Sequence, residues 1–245
     1  MTRRESTVEL ARLEHAVRER LNLSAPRALA VLDPLRVTID NVPEGEVLWF
    51  ETAVNPEDPT AGTRRLPFSR EIYIDRADFM LEAPPKYHRL SPGAEVRLRS
   101  AFILRCDRVE TDPATGAVTG LRGSIDPDSA GGQPADGRKI KGTIHWLSAA
   151  HALPAEVRIY EPLFAAADPE AAADADFLAA LNPDSLTVLT RAWVEPGLAD
   201  AAPGERFQFE RVGYFAVDPD SRPEALVFNR IVGLRDSWAK AATRG

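Results

Sequence analysis

The 245-residue chain predicts a mainly β fold, and three observations carry that expectation. Apolar residues recur at every second position in one short run after another. Pro, Gly and Asp interrupt the runs, and helical periodicity shows clearly only at the start. Many short strands with few long helices point to barrels or sandwiches. With 44% hydrophobic and 27% charged residues the chain has the apolar content of a packed core, which excludes disordered and fibrous architectures. At roughly 150 residues per domain, its length gives one large or two small domains.

The elements follow in order. Ser6-Thr7-Val8-Glu9 has capping-box spacing, and Leu10, Leu13, Val17 and Leu21 then recur on one helical face, predicting a helix that ends near Asn22. Leu35, Val37 and Ile39 alternate with Arg36, Thr38 and Asp40, a turn follows at Asn41–Gly45, and Val47–Phe50 is the next strand. Further strands are expected within Phe68–Ile74, Glu95–Leu104, Ile140–Trp146, Glu156–Tyr160, Leu186–Val194, Phe207–Val217 and Leu226–Val232. The cleanest alternation sets Ile140, Gly142, Ile144 and Trp146 on one face, with Lys139, Lys141, Thr143 and His145 on an exposed, cationic one. The Pro-, Gly- and Asp-rich stretch from Asp126 to Gly137 reads as a long loop between barrels, and Ala165–Asp176 as a solvated connection. No short-period repeat and no extended low-complexity tract is evident.

Thirty Lys and Arg against 37 Asp and Glu give a net charge of −7, which argues weakly against nucleic acid because phosphate binding depends on cations. The total hides a segregation. From Lys86 to Arg108 there are six cations and two acids, whereas Ala165–Ala180 carries Asp168, Glu170, Asp174 and Asp176. Apolar runs such as Ala101–Leu104 fall far short of the roughly 20 residues of a membrane span, and the first residues lack a signal-type stretch, so a cytoplasmic protein is expected. A single cysteine, Cys106, excludes an internal disulfide and a Cys-based zinc site and is expected in the core.

Catalytic motifs fail on inspection. Gly132–Gly137 has phosphate-loop glycine spacing but continues as Arg138-Lys139 and follows no apolar strand. His145 and His151 are six apart, without a helical metal-pair spacing or an accompanying carboxylate cluster, so structural roles are expected for both. There is no Gly-x-Ser-x-Gly, and the acids mostly lie in turns. The basic strand is more informative. In Glu95–Arg99, Val96 and Leu98 point one way while Arg97 and Arg99 point the other, about 7 Å apart, as two parallel guanidinium forks. Such forks match phosphates and base edges, and Lys86-Tyr87-His88-Arg89 adds cations and stacking rings; a solvated strand face with ordinary surface pairs is the competing reading.

Several long strings then resemble one family: 25–34 (APRALAVLDP), 67–79 (PFSREIYIDRADF), 137–146 (GRKIKGTIHW), 207–215 (FQFERVGYF) and 228–238 (FNRIVGLRDSW). In order, and over nearly the whole chain, they resemble the C-terminal anticodon-binding half of bacterial-type glutaminyl-tRNA synthetase. The resemblance implies two antiparallel β-barrels of the ribosomal-protein-L25 type behind a helical connector: connector 1–27, first barrel 28–130, second barrel 138–242, with strands free to exchange between barrels. It implies the anticodon loop of tRNA(Gln) as partner, with no DNA and no membrane, in a monomer. Arg27, Gln208 and Arg211 would read the middle base, Arg89 the third, and Arg97 with Arg99 the first and its phosphates. Asn22 would order the splayed loop, and Lys86 belongs to the same RNA-binding set. Departures from the family pattern are Lys86 where Gln is frequent, His88 where Lys is frequent, and Glu57 at an Asn-type loop position; they bear on contacts to flanking bases.

Neither the His-x-Gly-His nor the Met-Ser-Lys type loop of the family's catalytic core occurs here. The chain is therefore expected to be no enzyme by itself and to hold no cofactor, ATP and Mg belonging to the absent core. It is expected to be either a piece of the synthetase or a freestanding copy of its tRNA-binding half. A freestanding interaction or regulatory protein without anticodon specificity is the alternative. A binder of ribosomal RNA is a third reading, weakened by the acidic charge, and an independent enzyme is the least favoured.

Overall fold

The computed structural model describes residues 10–164 and 181–234. The capping box at Ser6, the acidic stretch 165–180 and the end of the last resembling string lie outside these residues. Helix α1, Leu10–Ser24, ends where Pro26 stops it. Its expected apolar stripe is only half used. Val17 and Leu21 pack with Ala25, Tyr214 and Val232, whereas Leu10 and Leu13 are exposed because only the later turns reach the body of the protein.

The strands are β1 (Arg27–Ala28), β2 (Ala30–Val31), β3 (Pro34–Ile39), β4 (Val47–Ala53), β5 (Thr63–Ser69), β6 (Glu71–Asp75), β7 (Glu95–Leu98), β8 (Ile103–Thr111) and β9 (Val118–Asp126). They continue as β10 (Thr143–Ile144), β11 (Trp146–Ser148), β12 (Leu153–Tyr160), β13 (Leu186–Val194), β14 (Arg206–Phe209), β15 (Gly213–Val217) and β16 (Leu226–Gly233). Four expected runs each hold two strands, Ile140–Trp146 dividing at His145 and Phe207–Val217 at 210–212. Phe68–Ile74 breaks at Arg70, and Glu95–Leu104 reverses around Ser100, whose φ is 59°.

Two seven-stranded sheets result, in the orders β10-β7-β8-β9-β3-β6-β11 and β1-β14-β15-β16-β12-β13-β2. In each, the outermost strands are consecutive pieces of one short run: 143–148 in the first sheet, 27–31 in the second. A single residue, His145 or Leu29, separates the pieces, so the run joins both edges and nearly closes the sheet into a barrel. The sheets also share their strand senses. Counting from β10 or β1, the first and fourth pairings are parallel and the other four antiparallel, so the expected all-antiparallel barrels are in fact mixed. One scheme is thus built twice although the sequence shows no short-period repeat. The closing runs cross the expected boundary at 130–138: the first barrel takes 143–148 and the second takes 27–31.

Alternation fills the cores. Leu35, Val37, Ile39, Ile72, Ile74, Val96, Leu98, Ile144 and Trp146 face inward in the first barrel, where the β4–β5 hairpin adds Phe50 and Phe68 against Phe102 and Trp146 at 5.0–5.2 Å. In the second, Phe209 stacks on Phe215 at 4.4 Å beside Val157, Val194 and Phe228. Each such side chain contributes about 1.5–3 kcal/mol by leaving water. Cys106 is in the first core, its thiol pushed up to about 11 by burial and by Asp107. Among the described residues, no helix is long and apolar enough to cross a membrane.

Candidate nucleic-acid interface

The β14–β15 turn lies at the joint of the two barrels, and its two charged residues reach across it. Arg211 has φ 67°, a left-handed conformation that costs a non-glycine residue about 1–2 kcal/mol. Its guanidinium donates to both oxygens of Asp78, at 2.5 and 2.8 Å, and to Nδ1 of His145 at 3.1 Å. Asp78 ends a short 3-10 turn, Arg76–Asp78, and is 3% exposed. From the other side Arg89 brings Nε to 3.3 Å of Asp78 Oδ1 and donates to the Ala77 carbonyl at 2.9 Å. One buried carboxylate therefore fixes two guanidiniums whose outer edges remain accessible.

His145 corrects the sequence expectation: it is 3% exposed, not on a cationic outer face. The strand changes neighbours there, from β7 to β6, and the ring turns inward. Burial first, and then the adjacent Arg211 charge, hold its pKa below the ordinary value. Nδ1 accepts from Arg211, so the proton of the neutral ring sits on Nε2, which has no hydrogen-bond partner among the described residues.

Glu210, the preceding turn residue, lies 2.8 Å from Arg99 Nε, an ion pair whose N–H is not aligned on the oxygen, and accepts from Arg64 Nη2 at 3.1 Å. Arg64 continues to Glu195 at 2.8 Å and to the Ala53 carbonyl at 2.5 Å. Glu195 accepts from the Leu29 N–H at 2.7 Å and donates its own N–H to the Leu29 carbonyl at 3.0 Å. The closing residue of the second barrel is thus clamped by one residue, through its side chain and its backbone N–H. Burial raises the Glu195 pKa, and Arg64 with the Leu29 N–H opposes that rise.

Arg27 and Gln208 are register partners in the β1–β14 pair. Arg27 is only 6% exposed: Nη1 donates to the Ala25 carbonyl at 2.9 Å, and Nη2 to the Asn22 carbonyl and Oδ1 at 3.0 and 2.9 Å. Instead of projecting as a free fork, it satisfies the carbonyls at the end of α1 and orients Asn22, which also accepts from the Tyr214 hydroxyl at 3.2 Å. Gln208 Oε1 is buried without a partner among the described residues.

Arg97 and Arg99 are not parallel forks as expected. Arg97 donates Nε to the Gly132 carbonyl and reaches Thr143 Oγ1 at 3.4 Å, whereas Arg99, beyond the strand end, turns to Glu210. Lys86 is exposed, at φ 70°, in the loop leading to Arg89. The structure therefore groups Asn22, Arg27 and Gln208 at the end of α1, and joins Arg89, Arg99 and Arg211 through the β14–β15 turn. Arg97 flanks that joint and Lys86 stands further out. Sequence reasoning missed the acids Asp78, Glu195 and Glu210, which looked like ordinary turn residues; for Asp78 and Glu210 the signal was their place in the resembling strings at 67–79 and 207–215.

Among the described residues, no group of three or more His, Cys, Asp or Glu could hold a metal. Ser148 meets His151 Nδ1 at 2.8 Å, but Ser148 is buried and shares its hydroxyl with Ser69 at 2.7 Å. What the joint offers is a set of partly exposed N–H donors aimed outward.

A twin barrel with an arginine-lined joint places the chain in the class of β-barrel pairs that present fixed cationic donors. Models of the anticodon-binding domain of class I tRNA synthetases (E and Q) match residues 25–126 and 143–218, one on each side of the linking loop. The chain belongs to this anticodon-binding family. Within it, the similarity is to the C-terminal region of glutamine–tRNA ligases: 52% identity over 244 residues to that of Yersinia enterocolitica, covering 99% of this chain and 43% of the relative. The Rhodopirellula baltica ligase is 52% identical over 241 residues, 98% of this chain and 40% of the relative, and that of Proteus mirabilis 51% identical over 246, 100% and 43%. The chain spans about two-fifths of the length of these relatives.

Proposed function

We propose that the chain binds the anticodon loop of tRNA(Gln) as the non-catalytic anticodon-reading part of a glutamine–tRNA ligase, acting in the cytoplasm as a monomer. In this reading glutamine transfer, with its ATP and Mg, belongs to parts of the synthetase outside this chain. The observation that carries it is the β14–β15 turn: Arg211 shares buried Asp78 with Arg89, and neighbouring Glu210 holds Arg99. Three guanidiniums are thereby held at one joint while keeping free N–H edges. Unpaired bases expose acceptors that such fixed forks can read, and because the forks are held before RNA arrives, little side-chain freedom is lost on binding. Arg211 and Gln208 take the middle base, with Arg27 and Asn22 shaping that site from behind; Arg89 takes the third base, and Arg97 and Arg99 the first with its phosphates. Lys86 supplies charge at the edge.

The test is a titration of the chain with anticodon stem-loops of tRNA(Gln), native and changed at the middle base. The native loop is expected to bind at least several-fold more tightly, and Arg211→Ala to weaken it by about 1–3 kcal/mol. Equal binding of the two loops would end this reading.

A further inference from the structure

Lys139 and Lys141 are used by nothing described so far. Their segment runs against the loop at 86–89 so closely that a Cβ on Gly142 would lie 1.7 Å from the His88 carbonyl oxygen. On its other side the Arg97 N–H donates to the Gly142 carbonyl at 2.9 Å. With Gly142 buried between them, exposed Lys139 and Lys141 border a cleft of about 470 Å³, lined also by Tyr87, His88, Arg89 and Arg105.

The charges of the cleft are unevenly answered. Arg138 takes up Glu95 with two contacts at 3.0 and 3.1 Å, Arg105 meets Asp107 at 2.6 Å, and Arg89 meets Asp78. Lys139 and Lys141 have no hydrogen bond or ion pair among the described residues. Tyr87 lines the cleft, and its hydroxyl is buried without a partner among the described residues.

The shared barrel scheme gives a second, independent reason to regard this as a site. Arg97 on Thr143 in the first barrel corresponds to Gln208 on Arg27 in the second, and the bonds Arg97 N to Gly142 O and Gln208 N to Pro26 O correspond as well. Three residues on, Ser100 and Arg211 both adopt positive φ. The segment before Thr143 therefore occupies, on the first barrel, the place that Asn22–Pro26 occupies beside the proposed middle-base site on the second.

We propose that this cleft is a further RNA site, one that takes the phosphodiester of the nucleotide next beyond the base facing Arg89, with Lys139 and Lys141 on phosphate oxygens and Tyr87 on the sugar. The proposal rests on the anticodon-loop reading. An ammonium is a point charge without the geometry of a fork, so the site adds affinity and salt dependence and leaves base choice to the arginines.

Measured on the full chain, Lys139→Gln/Lys141→Gln is expected to reduce the slope of log K against log salt by about 0.7, the share of the one single-strand phosphate that the two lysines hold. The ratio of native to middle-base-changed loop binding should stay at the parent value. An unchanged slope overturns the proposal, as does a fall in that ratio, which would make the lysines base readers. Failure of the anticodon reading shows separately, as equal binding of both loops by the parent; the slopes still decide the cleft then, since every RNA carries phosphates. A parent that binds neither loop overturns both.

Discussion

Asp78 shows how much of the joint rests on single side chains. It is buried, and without it Arg211 would keep only the His145 ring while Arg89 would lose its ion partner. Breaking such a pair costs on the order of 3–5 kcal/mol. The cations of this surface were legible in the sequence, because six of them crowd into Lys86–Arg108. Their partners were not: Arg64 meets Glu195 from 131 residues away and Glu210 from 146, and Arg211 meets Asp78 from 133. Nor could the use of Arg27 be read, because an arginine spent on nearby carbonyls looks in sequence like one left free. His145 carries a test at this scale. Burial and Arg211 depress its folded pKa, while Asp78, Asp75 and Glu210 only partly compensate. The unfolded chain therefore binds a proton that the folded chain refuses as pH falls below about 6.5, and stability is lost there with a limiting slope near 1.4 kcal/mol per pH unit. In thermal melts between pH 7.5 and 5, His145→Gln is expected to flatten the acid-side fall of the parent. An equally steep fall would mean that the ring titrates freely.

Strand identity was legible wherever one face is wet. The period-two patterns of β3, β6 and β7 appear directly in their alternating burial. Strand ends were not, since a reversal inside an apolar run such as Glu95–Leu104 leaves the pattern almost intact. The alternation at 139–146 reads as one strand with one outer face; the strands there are 143–144 on β7 and 146–148 on β6, and the side chains are redistributed at His145. Gly142 is what lets this run approach the 86–89 loop. In Gly142→Ala the new methyl would meet main-chain oxygen rather than a side chain that can swing aside, so either β10 or the loop bearing Arg89 must move. A loss of about 1–3 kcal/mol in urea unfolding is expected, together with weaker binding of the native anticodon loop. Gly233→Ala, at a position with nothing within 4 Å, is the control and should stay within about 0.5 kcal/mol of the parent.

At the scale of the whole molecule, a two-barrel architecture followed from the resemblance, but the dependence of each barrel on the other did not follow from any local pattern. Closing strands of two or three residues pair with strands far away in the chain, and short segments carry too little periodicity to announce their partners. The consequence can be tested by cutting the loop near residue 134, in an exposed turn where a break removes no strand. The piece 1–134 keeps β3 and β6–β9 but lacks β10 and β11, so its sheet is left with two unpaired edges. The piece 135–245 keeps β12–β16 but lacks β1 and β2, and carries 143–148 with no sheet to close. Open edges with exposed core face promote association over folding. Each piece alone is therefore expected to lack a cooperative melt by circular dichroism. The mixed pieces should recover one, because both closing runs are then present and Arg211–Asp78 and Arg64–Glu195 can form across the cut. Two separately prepared pieces that each melt cooperatively would show instead that the barrels are independent domains, and the joint would then have to be held by its ion pairs alone.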